Sequence, residues 1–148
     1  MSITSSVVGN AVAEHSGEDF SKYLTARDFG FAVPTGATID GILVNIAKSS
    51  DNSVVVDYSA SLVTNTTVSP MAFVGSNKSI DGVVWPSSGV TSSYGGSADQ
   101  WGYSWTPSEI NFNRFGIALQ TSASSPDGAY VNYITMTVYY TSASMSTF

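Results

Sequence analysis

From Ala129 to Thr141 the chain reads AYVNYITMTVYYT. This stretch constrains the fold more than any other. It alternates strictly in position: Tyr130, Asn132, Ile134, Met136, Val138 and Tyr140 fall on one side, and Val131, Tyr133, Thr135, Thr137 and Tyr139 on the other. A period of two is the period of a β-strand, and β-branched and aromatic residues fill it. A helix would scatter these side chains around its circumference.

The same period recurs upstream. In ILVNIA, Ile42, Val44 and Ile46 share a face. In VVVDYSASLV, the pattern groups Val54, Val56, Tyr58, Ala60 and Leu62. The turn-forming run KSSDNS between them predicts a hairpin. RFGIALQ aligns Phe115, Ile117 and Leu119, and a further strand is expected over Tyr23 to Val33, ended by Pro34-Thr35-Gly36. One helical signal stands out: Thr106 as N-cap, Pro107 at the first helical position and Glu109 three residues after the cap. It predicts a single turn near Pro107-Asn111. Many short strands with turn signals between them give an all-β fold, an antiparallel β-sandwich, with a jelly roll preferred because long crossovers separate the strands. Residues 21–141 are expected to form the sandwich. Residues 1–20 read as an N-terminal arm or irregular segment, and 142–148 as a C-terminal arm, with Ile3, Val7, Val8 and Phe148 as apolar anchors for a neighbouring subunit.

Charge narrows the function classes. Only 11% of the 148 residues are charged, against roughly 25% in an average domain. The surface must therefore be built from Ser, Thr, Asn and Gly. Net charge is −6, and the five basic residues stand singly, so neither a nucleic-acid backbone nor an anionic membrane has a basic patch to grip. No apolar run reaches the ~20 residues that span a bilayer, and the N-terminal residues do not read as a secretory signal. Synthesis in a cytoplasm is the expectation. The sequons at Asn65 and Asn77 read as accidental.

Reactive chemistry finds few materials. There is no cysteine, and His15 is the one histidine, expected to be a solvated loop residue. Triads and transition-metal sites need more. The scattered carboxylates form no recognisable catalytic pair, and SSDNS and SPDG read as turns rather than calcium loops. The chain is thus expected to be no enzyme and to need no cofactor. Its aromatics are more informative: Trp85, Tyr94, Trp101, Tyr103 and Trp105 crowd one stretch. They read either as a ligand platform, with indole faces stacking on a sugar, or as core, with Trp101, Tyr103 and Trp105 alternating along a strand. The core reading carries the greater weight.

Three segments together carry a resemblance: YLTARDFGFAVPTGATIDGILVNIAKSS, WGYSWTPSEINFNRFGIALQTSA and AYVNYITMTVYYT. Phe29-Gly30-Phe31, Pro34, Gly36 to Ile39, Gly41-Ile42, Trp101-Gly102, Trp105-Thr106, Phe115-Gly116 and Val138 to Tyr140 mark it. With this pattern residues 23–141 resemble a recurrent β-sandwich domain of tailed-phage virion structural proteins. The resemblance implies a virion protein without enzymatic activity, foremost a capsid decoration or cement protein that bridges capsomers. Its partners would then be the major capsid protein or other virion proteins, together with copies of itself as a dimer or trimer. The alternative is a tail- or fibre-associated module that binds a receptor carbohydrate.

Overall fold

The computed structural model describes residues 1–64 and 72–145. Nine strands and one short helix follow in order: β1 (Ser2–His15), β2 (Asp19–Phe20), β3 (Leu24–Arg27), β4 (Thr38–Ser50), β5 (Val55–Val63), β6 (Phe73–Val74), β7 (Val90–Gly95), α1 (Pro107–Asn111), β8 (Gly116–Ala123) and β9 (Asp127–Thr141). One sheet has the order β1-β9-β4-β7; the other has β2-β8-β5-β6, with β3 also on β8. Every pairing is antiparallel. From β4 onward, strands β4, β5, β7, β8 and β9 fall alternately in the first and second sheets, as in a jelly roll. The core between them holds Ile42, Val44 and Ile46 of β4, Ile117 and Leu119 of β8, and Met136 and Val138 of β9.

The expected helical turn forms, with Thr106 accepting from the Glu109 amide and Pro107 opening the helix. The bend at Pro34-Thr35-Gly36 also forms, closed by the Ala37 amide donating to the Pro34 carbonyl, with Gly36 at φ 83°.

Several expectations are corrected. The N-terminal segment is not an irregular arm but a 14-residue strand along one edge of the first sheet. Its inward positions, Ile3, Val7, Ala11 and Ala13, pack against the chain's own core, and Val8 faces solvent. An edge strand buries only half of one face, so its alternation is diluted with Ser and Thr and reads as loop. The C-terminal residues 142–145 are in no strand or helix, and Phe148 lies outside the described residues. Strands β4 and β5 do not form a hairpin. They lie in opposite sheets, and the bend between them caps one end of the sandwich. Asp127 fixes that bend by accepting from the amides of Asp51, Asn52 and Val54 at 2.9–3.2 Å. The strand expected over residues 23–33 stops at Arg27, because Asp28 and Gly30 adopt positive φ; Phe29, Phe31 and Val33 still bury their side chains.

Two strands change phase midway. In β5 the pairing with β8 shifts between Asp57 and Ser59, leaving Tyr58 as an extra residue. Val55 and Asp57 therefore point inward before this bulge, and Ala60 and Leu62 after it. In β9, Asn132 and Tyr133 are both exposed, so Ala129 and Val131 face inward before the irregularity and Ile134 to Tyr140 alternate inward after it. The uninterrupted alternation read from the sequence is broken at both places.

Candidate functional site

The five aromatics singled out in the sequence have definite places. Trp85, Tyr94, Trp101 and Trp105 are buried, and Tyr103 is 38% exposed. Trp101, Tyr103 and Trp105 do not alternate along a strand. They sit in the irregular segment before α1, where Trp101 holds a positive φ of 58°. That conformation is held from two sides: its amide donates to Asp99 and its indole N–H donates to the Ile42 carbonyl at 2.9 Å. Trp105 donates to the Gln100 carbonyl and packs edge-on against Tyr103 and Phe115. Trp85, Tyr94, Trp101 and Trp105 belong to the core, and Tyr103 lies at its margin.

A charged cluster between the sheets was not anticipated. Lys48 continues the inward set of β4, and the bulge turns Asp57 to face it. Lys48 Nζ donates to Asp57 Oδ1 at 3.0 Å and to the Tyr94 hydroxyl at 2.7 Å. Tyr94 donates in turn to Asp57 Oδ2 at 2.7 Å, and Trp85 Nε1 to Oδ1 at 2.8 Å. The Ile80 amide completes the carboxylate shell. Lys48 lies 5.0 Å from the Trp85 ring centre and 5.3 Å from that of Tyr94. Burial pulls the Lys48 pKa below the ordinary lysine value, with Asp57 opposing; burial and then Asp57 push the Tyr94 hydroxyl well up. Extending the even-numbered face of β4 by two residues would have placed Lys48 inside. No parity argument could place Asp57, because the bulge is not visible in the sequence.

His15 is buried rather than solvated. Its two ring nitrogens meet Asp19 and the Thr121 hydroxyl, stitching the end of β1 to the second sheet. That contact with His15 is the main reason the Asp19 carboxyl titrates below its usual range. Among the described residues, every buried side-chain nitrogen and oxygen has a hydrogen-bond partner. The buried charges thus work within the fold.

The outside of the second sheet carries a cluster of exposed aromatics. Phe20, opposite Ser122 on β2, and Tyr58, the bulged residue of β5, pack with ring centres 4.6 Å apart while staying 61% and 52% exposed. Tyr23 and Phe73 pair at 5.0 Å and are also partly exposed. Leu24 and Ala26 turn inward on β3, so Tyr23 turns outward. The two pairs run beside β8 from the level of Ser122 toward that of Gly116, about 20 Å at ~3.4 Å per residue. Beside Phe20 and Tyr23 the sandwich opens into a cleft of about 420 Å³. Small inward side chains, Ala11, Ala13 and Ala129, leave this space across from Leu24 and Leu119, with Trp85 as its floor. Nothing in the sequence marks these four aromatics as a surface cluster, and a period-two pattern puts Tyr58 on the same face as Ala60 and Leu62.

No protein-family model matches the chain, and no curated protein matches it in sequence. In solved structures it is similar to a chain of the infectious bursal disease virus Gx strain, at 11% identity and a TM-score of 0.41, over 99% of this chain and 38% of that one. It is also similar to the N-terminal cellulose-binding domain of Cellulomonas fimi β-1,4-glucanase C, at 15% identity and 0.35, over 97% and 90%. A chain of the Gt strain of the same virus gives 9% and 0.35, over 94% and 33%. The present chain thus spans about a third of the length of those two viral chains.

Proposed function

We propose that this chain is a non-enzymatic virion structural protein that decorates an assembled shell, holding to neighbouring virion proteins through the aromatic outer face of its second sheet. The observation that carries this reading is the pair of exposed ring contacts, Phe20–Tyr58 and Tyr23–Phe73, on an otherwise low-charge surface. Partly exposed aromatics that already support one another lose little conformational freedom on docking, and such residues anchor protein interfaces. The resemblance of residues 23–141 to tailed-phage sandwich domains supports a phage particle as the setting. Attachment through a repeated surface would gain from avidity on a lattice.

The test is co-sedimentation with shells that lack this protein. Tyr58→Ser combined with Phe73→Ser should lower the unfolding midpoint modestly, leave a cooperatively folded chain and lose most particle binding. Undiminished coating by that variant would refute the assignment of this face. A second reading, a carbohydrate-binding module, is favoured by the same exposed rings, whose faces can stack on pyranose sugars. Retention on an insoluble polysaccharide, with no affinity for shells, would select it.

A further inference from the structure

The described sheet edges are unequal. β2, β3, β6 and β7 have two, four, two and six residues, whereas β1 has 14. Long exposed edges are normally blunted by lysine, proline or inward charge, because they offer unpaired backbone groups to any other strand. From Ser2 to Ala13, β1 carries no charged residue and no proline, although the chain as a whole carries −6. It is regular from Ser2 to Val8 and loses register with β9 only after Val8.

The backbone of this segment has a definite polarity. Met1 and Tyr140 exchange both N–H···O bonds, so Met1, Ile3, Ser5 and Val7 are the residues that bond to β9. The amides and carbonyls of Ser2, Thr4, Ser6 and Val8 therefore point away from β9, to an edge that no other described strand pairs. The side chains of those four residues are exposed on the sheet's outer face.

We infer that β1 pairs with β1 of a second copy, antiparallel across a two-fold axis at Ser5, fusing two four-stranded sheets into one. In that register Ser2 lies opposite Val8 of the second copy, Thr4 opposite Ser6, Ile3 opposite Val7, and Ser5 opposite itself. Hydroxyl meets hydroxyl at Thr4–Ser6, and β-branched apolar meets its like at Ile3–Val7. Every outward-pointing amide and carbonyl of the regular segment finds a partner, because all four hydrogen-bonded pairs join even-numbered residues. An isologous contact of this kind repeats each favourable pair twice. The absence of charge lets two acidic chains meet here without like charges at the seam. This inference concerns the free protein and stands whether or not the aromatic face binds a shell.

Two experiments test it on the full chain. Sedimentation equilibrium should show the mass rising from one chain to two with concentration. Thr4→Lys combined with Ser6→Lys sets introduced lysines against each other and should abolish the rise; so should Thr4→Glu combined with Ser6→Glu. Mixing the two double variants should restore a dimer, a result that simple misfolding cannot give. Since the chain has no cysteine, Ser5→Cys should form a covalent dimer on mild oxidation much faster than Ser2→Cys. A monomer at every concentration would overturn the inference. So would an oligomer indifferent to both charge variants, or equal cross-linking at positions 2 and 5.

Discussion

Asp57→Asn tests the buried cluster most directly. The substitution keeps the shape and removes the charge. Each carboxylate oxygen accepts two hydrogen bonds: Oδ1 from Lys48 and Trp85, Oδ2 from Tyr94 and the Ile80 amide. Whichever way the carboxamide turns, its NH2 group faces two donors. Lys48, 4% exposed, is then left as a buried cation without its counter-charge. Breaking one side of a buried pair costs about 3–5 kcal/mol, and this variant belongs at the upper end. Lys48→Met should cost less, about 3 kcal/mol, since the carboxylate keeps the other three donors. Replacing both by apolar residues should not recover stability. It would strand the Trp85 indole, the Tyr94 hydroxyl and the Ile80 amide, at about 1–3 kcal/mol for each unsatisfied group. Urea unfolding followed by tryptophan fluorescence, with m unchanged, measures all three. An Asp57→Asn cost below ~1 kcal/mol, or a larger loss from Lys48→Met, would refute this account of the cluster.

Further outcomes follow from the same contacts. The Lys48 pKa is lowered in the folded state, so the penalty for keeping it charged is relieved as pH rises toward the ordinary lysine value. The stability difference between the native chain and Lys48→Met should therefore grow between neutral pH and about 10, as measured by unfolding at stepped pH. Burial works against ionising Asp127, yet the amides of Val54, Asn52, Gly128 and Asp51 outweigh it and lower its pKa. Its contribution is present above the ordinary aspartate value and lost as pH falls through the folded one, and Asp127→Asn should flatten that acid limb in a pH titration of stability. Gly116→Ala would put a methyl group 1.9 Å from the Ala26 carbonyl oxygen in the paired strand. It should cost about 3 kcal/mol and show as a lower melting temperature. Thr106→Ala removes the cap of α1 and should cost about 1 kcal/mol by the same measurement.

The all-β sandwich class, the inward face of β4, the helical turn after Thr106 and the bend at Pro34 to Gly36 are legible in the residues alone. Each of these is local: a period of two, a cap or a turn residue sets it within a few neighbours. Long-range pairing sets which strands share a sheet, and so turns the expected β4–β5 hairpin into a crossover pinned by Asp127. It also makes Ser2 to His15, too weakly apolar to announce itself, a strand, because β9 offers it a ladder. The candidate surface was hidden for the same kind of reason. One extra residue in β5 reverses the faces of everything before it, sending Asp57 to the core and Tyr58 to solvent. A bulge is fixed by the partner strand and by the lysine waiting across the core, and a one-dimensional pattern contains neither.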